Sequence, residues 1–410
     1  MTILSFPSGK SMAVRLGAVL LVLGLLAACA PRPITRETAL VRIAPGDSPV
    51  FIDDAAYDQL ARGIAMSLLY LRKRPPGHIV YFGTDGYTVA HLIRSLETFA
   101  DLIAQRPTAV RLSRMIGERF HVYQAVGRNK QRDVLFTGYY EPIVRGSRVP
   151  SDRFPVPVHS RPADLVEIDL SLFAQDLKGR RIVGRYTGRT VVPYPDRGQI
   201  RQERDFDRKA APIAWLSDEV DLFNLMVQGS GKVLFEDGKM LDIHFDGSNG
   251  HAYRSIGRLL IDQGKISKDK MSMQAIRDYL KAHPEEADAI MNHNPRFIFF
   301  RAIDQGPLGA LGVSLTPNRS LAVDRGLFPL AALAYIDALP TPRVDESGRI
   351  VDWQAHHGFV LAQDTGSAIT GAGRADFFWG HGVRAEAAAG HLKHHGRLYF
   401  LVLKPMPTAP

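Results

Sequence analysis

The chain has 410 residues, enough for two or three domains. Hydrophobic residues at 45% and charged residues at 23% exclude a disordered chain, a coiled coil and a collagen-like repeat. The one cysteine excludes a disulfide framework and a cysteine-based zinc site, while a net charge of +9 suits either a polyanionic partner or plain solubility.

Residues 1–28 read as an export signal. Lys10 and Arg15 are the only charges before Cys29, and Leu16 to Ala28 is wholly apolar or small. Those thirteen residues are too few to span a bilayer, which needs roughly 20. A basic start, a short apolar run and small residues at its end are the pattern of a secretory signal, and Met12 also heads it. Cys29 directly follows Leu26-Ala27-Ala28, which resembles a bacterial lipobox, so Cys29 is the expected lipidation site. Ala30 in the next position implies sorting to the outer membrane in the enterobacterial manner. Residues 29–47, dotted with proline and charge, read as a tether.

The spacing of apolar residues predicts helices over Ile52–Leu71 and Val89–Ile103. A strand pair is predicted around Phe120–Ala125 and Val134–Tyr140. From Ile143 to about Gln202 the texture changes to short β-like runs broken by Pro, Gly and Arg. Lys232–Phe245 reads as a hairpin turning at Asp237-Gly238. Helices are predicted at Met271–Ala282 and from Pro284 to Asn292, the latter with Glu285 and Glu286 in its first turn. Short strands follow at 297–300, 320–324, 358–364 and 397–404. The expectation is a mainly β protein with flanking helices, in two domains.

The densest cluster of reactive side chains is AQDTGSAITGAGRADFFWGHG, residues 362–382. Asp364 ends an apolar strand, and Asp376 follows twelve residues later across a glycine-rich loop. Two carboxylates facing one pocket suit general acid–base work, and the aromatic run Phe377-Phe378-Trp379 would exclude water and raise a carboxyl pKa. Alternatively, both aspartates simply cap turns. FTGYYEP (Phe136–Pro142) ends a strand with Thr137, Tyr139, Tyr140 and Glu141, which suits sugar contacts but equally an ordinary β edge. MVQGSG (Met226–Gly231) is a Gly-Ser turn that could cradle a phosphate but lacks the patterns of a nucleotide site. His391, His394 and His395 have no HExxH, cysteine or carboxylate partner, so no metal site is expected. No nucleotide-binding, serine-hydrolase or DNA-binding motif is present, and no nucleic acid partner is expected.

At these residues the chain resembles the MltA-type lytic murein transglycosylases. FTGYYEP, VQGSG, GHAYRSIGRLLIDQGKI (250–266), MSMQAIRDYL (271–280), NPRFIFF (294–300), LAVDRGLFP (321–329) and DTGSAITGAGRADFFWGHG (364–382) follow that family's order. The stretch 321–379 also resembles the "3D" module, whose three aspartates would be Asp324, Asp364 and Asp376. The resemblance implies a double-psi β-barrel built from 48–142 and 304–410, with a second β domain, 143–303, inserted into it. A peptidoglycan strand would lie in the groove between them. Asp376 matches the family's acid/base. Asp364, Thr137, Tyr139, Gln228, Ser230 and Asp324 would bind substrate. The implied reaction forms 1,6-anhydroMurNAc without metal, nucleotide, cofactor or activated water. Thr370 stands where relatives often carry lysine, so contacts of that loop differ. The rival readings are a non-catalytic wall-binding lipoprotein and a hydrolytic muramidase using both carboxylates.

Overall fold

A computed structural model describes residues 33–128, 131–304 and 306–405. Cys29 and the signal lie outside the described residues.

The N-terminal part is a helical layer on one sheet. Leu40–Ile43 (β1), the hairpin of Ile79–Phe82 (β2) and Asp85–Thr88 (β3), and Phe120–Ala125 (β4) alternate with helices Leu60–Leu71, Val89–Ala104 and Ala109–Arg119. Thr88 and Thr108 cap the second and third helices, accepting from the backbone N–H of His91 and Arg111. The 40–43 part of the expected tether is instead an edge strand: Leu40 to Ile43 pair antiparallel with Ala125 to Val122. Leu40 is 3% exposed, and its burial is reason enough to dock. The first predicted helix starts later than its apolar spacing suggests. Asp53 is drawn into an ion pair with Arg319, and Ala56, Tyr57 and Gln59 turn with positive φ before Leu60 begins the helix.

Val134–Glu141 (β5) opens the barrel. Its other strands are Ser320–Ala322, Leu333–Val344, Ile350–Asp364, Arg374–His381 and Lys393–Leu403, here β15 to β19 because the insert supplies β6 to β14. The order β19-β16-β17-β15-β18-β5 closes through β5–β19 pairing, giving a six-stranded barrel. Two pairings, β15–β17 and β18–β5, are parallel and the rest antiparallel, the double-psi arrangement. β4 and β5, expected as a pair, are not bonded to each other. The eleven-residue β19 lies between them, pairing Lys393–Gly396 with β5 and Tyr399–Leu403 with β4. Closure leaves no bare edge between β5 and β19. The interior is filled by side chains such as Phe136, Leu321, Ala362, Ala375 and Phe377, each at most 1% exposed.

Pro142 separates β5 from Ile143–Ser147 (β6), the first strand of the insert. Val156–His159 (β7), Pro212–Leu216 (β11), Ser230–Leu234 (β12), Met240–Ser248 (β13) and Ile298–Ile303 (β14) complete its six-stranded sheet in the order β14-β13-β12-β6-β11-β7. Leu165–Asp169 (β8), Arg181–Tyr186 (β9) and Val191–Pro193 (β10) form a small second sheet. The β12–β13 hairpin turns at Gly238, whose φ of 79° is open to glycine without strain. Helix Pro284–Asn292 starts at the residue read from the sequence. Its neighbour Met273–Ala282 is capped by Ser272.

Candidate active site

Strand register builds the site. On β17, β15, β18 and β5 the residues Asp364, Ala322, Asp376 and Thr137 are direct neighbours in one row. Neighbours in a row point to the same face of a sheet. Ala322 contributes only a methyl group, so nothing large separates the two carboxyls. The row depends on a bulge: Leu321 pairs with Ala362, but Ala322 pairs with Asp364, leaving Gln363 as the extra residue. Gln363 is fully buried. Its Nε2 donates to Gly63 O at 2.8 Å and Ser67 Oγ at 3.0 Å, and its Oε1 accepts from Ser320 Oγ at 2.7 Å. With its amide satisfied in the core, the bulge is fixed and Asp364 is aimed outward.

The two carboxyls are held differently. Asp364 Oδ1 accepts from Ala310 N at 2.9 Å and Thr365 N at 2.8 Å, and its Oδ2 accepts from Tyr139 Oη at 2.9 Å. Gly309 permits the Ala310 contact, because a Cβ there would come within 2.6 Å of Gln363 O. Asp376 Oδ1 accepts from Thr137 Oγ1 at 2.7 Å, and its Oδ2 has no protein partner among the described residues. Burial pushes Asp376 up to about 7, against the Thr137 hydrogen bond and the Arg374 charge, with Asp364 adding to the rise. Burial likewise pushes Asp364 up to about 6, against its three hydrogen bonds. Burial, helped by the Asp364 charge, holds the Tyr139 phenol far above its ordinary range, so it is a fixed donor.

Of the three aromatics after Asp376, alternation puts only Phe378 on its face, where its ring lies 5.1 Å from that of Tyr139. Phe377 and Trp379 point the other way and meet edge to face at 5.1 Å. Trp379 packs on Tyr140, Ala385 and Ala389 of helix Val383–His391. Gly138 sits beneath that contact, and a Cβ there would come within 2.6 Å of Ala389 Cα.

Beside the row a cleft of about 370 Å³ runs between the barrel and the insert. The barrel wall gives Tyr139, Gly309, Ala310, Asp364 and Thr365. The insert wall gives Gln228, Ser230, His244, Phe245 and Arg296. Gln228 also accepts from Tyr140 N at 3.3 Å through its Oε1, tying the insert helix that ends there to β5. His244 is pushed down to about 4 by burial and by the Arg301 charge, so it lines the cleft as a neutral ring. Asp324 does not line this cleft. Its Oδ1 accepts from Gly326 N at 2.8 Å and its Oδ2 from Gly371 N at 2.7 Å, which places it as a brace between its own turn and the glycine-rich loop.

Some participants carried no signal in the sequence reading. Ala310 acts through its backbone, and Arg374 acts on Asp376 through its charge. Glu141 is fully buried where β5 meets the insert. Burial pushes its carboxyl up to about 7, against the Lys232 ammonium, which lies 3.4 Å away and is shared with Asp242. It sits in FTGYYEP, where the sequence shows it only as one more polar group at a strand end. Among the described residues no group of three or more His, Cys, Asp or Glu could hold a metal ion. His391 Nδ1 is engaged by Ala387 O, His395 pairs with Asp133, and His394 packs on Trp353.

One well-partnered carboxyl that lines an interdomain cleft and one half-free carboxyl in the row beside it, both raised toward neutrality, define an acid–base enzyme site. A family profile described as "MltA specific insert domain" matches residues 135–301, and one described as "3D domain" matches 319–402. The chain is 32% identical over 290 residues, 70% of its length and 70% of the relative's, to "Membrane-bound lytic murein transglycosylase A" of Escherichia coli K12. It is 31% identical over 290 residues, again 70% of each, to the Vibrio cholerae protein of that name. Its fold matches the crystal structure of a membrane-bound lytic murein transglycosylase from Agrobacterium tumefaciens with a TM-score of 0.72 at 30% identity, over 89% of this chain and 98% of that one. For MltA from Neisseria gonorrhoeae the TM-score is 0.66 at 28% identity, over 90% and 93%. The chain belongs to the family of membrane-bound lytic murein transglycosylase A.

Proposed function

We propose that the protein cleaves the β-1,4 bond between MurNAc and GlcNAc in peptidoglycan and leaves a 1,6-anhydroMurNAc end, with Asp376 as its one acid/base. The observation that carries this reading is the asymmetry of the two carboxyls. Asp376 offers an Oδ2 with no partner among the described residues, while three donors occupy both oxygens of Asp364.

The protonated Asp376 donates to the glycosidic oxygen as the C1–O bond breaks. Positive charge then grows at C1 and the ring oxygen, and the ionised Asp364 is placed to stabilise it electrostatically. Asp376, now a carboxylate, takes the proton of the MurNAc C6 hydroxyl as O6 bonds to C1. One bond breaks, one forms, and the carboxyl ends protonated, so no water is consumed. Nucleophile and electrophile belong to one sugar ring, which supplies the proximity that a bound water would otherwise need. Thr137 steadies Oδ1 so that Oδ2 carries the moving proton, and Tyr139 fixes Asp364. Gln228, Ser230 and Phe245 on the opposite wall are positioned for the glycan's amides, hydroxyls and ring faces.

The protein works anchored through a lipid on Cys29 to the outer membrane, facing the periplasm. Support comes from the place of the sole cysteine and from the membrane-bound relatives. Among the described residues no helix is long and apolar enough to cross a membrane. The deciding experiment is mass analysis of muropeptides released from purified sacculi. Anhydro products, one water lighter than reducing-end products, are expected, and Asp376→Asn should release almost none. Reducing ends from the wild-type protein would make it a hydrolase and overturn the reading.

A further inference from the structure

A second cavity, of about 230 Å³, shares no lining residue with the cleft. Leu71, Val89 and Phe328 give it an apolar base, and Arg36, Arg74, His78 and Arg325 stand around it. Among the described residues no aspartate or glutamate lines it. Arg36 is held by Glu37 at 2.8 Å and lies over the Tyr81 ring, 4.0 Å from its centroid. Arg74 lies 5.7 Å from the centroid of Tyr70. Arg74, His78 and Arg325 have no ion pair among the described residues, although two segments distant in sequence bring them together. Like charges gathered on one concave surface raise a positive potential that an anion relieves.

The surroundings narrow the anion's source. Ile79 and Tyr81 also line the cavity and are 41% and 37% exposed on the β2–β3 hairpin. Arg72 and Lys73 continue the basic run beside Arg74. Exposed aliphatic and aromatic groups interleaved with Arg and Lys suit the boundary between lipid headgroups and acyl chains. Seven residues of chain lead from Cys29 to Arg36, a span of at most about 25 Å when fully extended. A lipid on Cys29 therefore keeps this cavity's rim close to the bilayer.

We propose that the cavity binds the phosphate of an anionic lipid headgroup, and that the surface around it is the face the protein lays on the membrane holding its anchor. The anchor itself comes from the reading of Cys29 above. Docking at this site fixes which side of the enzyme meets the bilayer, where a bare tether would let it swivel.

The test uses the full lipidated protein in phosphatidylglycerol vesicles and in phosphatidylcholine vesicles, with hydrogen exchange as the readout. Amides of residues 70–81 and 325–330 should exchange several-fold more slowly on the anionic vesicles. Arg74→Gln/Arg325→Gln should lose that protection while still releasing muropeptides from soluble peptidoglycan fragments. Arg74→Gln alone, a change in an exposed turn, should lose part of it should the double variant fold poorly. Inorganic phosphate at millimolar level, added to detergent-solubilised protein, should protect neither segment. Protection by phosphate as large as that by the vesicles would assign the site to a free anion and overturn the lipid. Equal exchange on both vesicle types would overturn the inference, even if the protein floats with them. Mass analysis of Cys29 and flotation report the anchor separately. Were Cys29 bare, anionic vesicles must still protect both segments for the inference to stand.

Discussion

Asp53 and Asp376 are both enclosed carboxyls of the same domain, and they are driven in opposite directions. Asp53 has a fully buried side chain against Arg319, itself 1% exposed, which grips it through both guanidinium NH2 groups at 2.7 and 2.9 Å. Burial pushes Asp53 up, but the Arg319 hydrogen bonds and charge outweigh it, and the carboxyl ends below its usual value. Asp376 meets a neutral hydroxyl and a more distant Arg374, and burial wins. A buried acid given a bidentate cation is spent on structure. One given neutral donors keeps a proton to move.

The comparison is broken most severely by removing the proton. Asp376→Asn keeps the shape and the Thr137 contact but cannot titrate. Losing general acid–base help should cost about 10²–10⁴-fold in kcat, with KM little changed. Asp364→Asn should cost less, because its role is placement and charge. A dead Asp364 variant beside an Asp376 variant within a few-fold of wild type would reverse the assignment.

On the structural side, Arg319→Leu leaves Asp53 buried without its cation. Stranding one partner of such a pair costs about 3–5 kcal/mol. Arg319 also donates to Asp58 O and Phe359 O, so the Asp53 turn and β17 loosen together. Denaturant unfolding at neutral pH should show the loss, and a midpoint unmoved within error would mean the pair adds nothing.

The two regions should also part along the pH axis. Asp376 and Asp364, at about 7 and about 6 against 3.8 when unfolded, hold protons more tightly in the folded protein. Their contribution to stability is complete below pH 3.8 and is lost as pH rises through 6 to 7. Asp53, lowered, contributes at higher pH and is lost as pH falls below 3.8. Activity needs the protonated acid, so kcat/KM should fall as pH rises past about 7. Asp376→Asn should show a smaller drop in Tm between pH 5 and pH 8 than wild type. Equal drops would remove Asp376 as the group responsible.

How much of this was legible beforehand depends on the range of the interaction. The strand at 120–125, the 232–245 hairpin and the helix from Pro284 follow from local spacing, turns and caps. Asp364 and Asp376 stand out because acids flank a glycine-rich loop. Their shared row does not, because it needs β15 between β17 and β18 and a bulge at Gln363, and no local pattern announces either. The helix expected from Ile52 was overridden by Arg319, more than 250 residues away. Asp324 looked equivalent to the other two aspartates by motif, yet its oxygens serve two backbone N–H groups in turns. Fold class is written in periodicity, whereas the site is written in register.

The finest test of the comparison is Thr137. Its hydroxyl donates to Asp376 Oδ1 at 2.7 Å and is the one side-chain hydrogen bond that favours the ionised form. Thr137→Val keeps the branched shape on β5, where Thr137 pairs with Asp376 and Lys393. A neutral-to-ion hydrogen bond of this kind is worth about 1.5–3 kcal/mol in place, and less where the cleft admits water. Without it the Asp376 carboxylate is less stable, its pKa rises, and the basic limb of the kcat/KM profile should move to higher pH. The rate at the optimum should fall only a few-fold, because the proton-bearing Oδ2 is untouched. Thr137→Ser restores the donor and should restore the wild-type limb. A merely structural role for Thr137 would lower activity evenly at every pH, with Ser no closer to wild type than Val, and would separate this hydroxyl from the proton on Asp376.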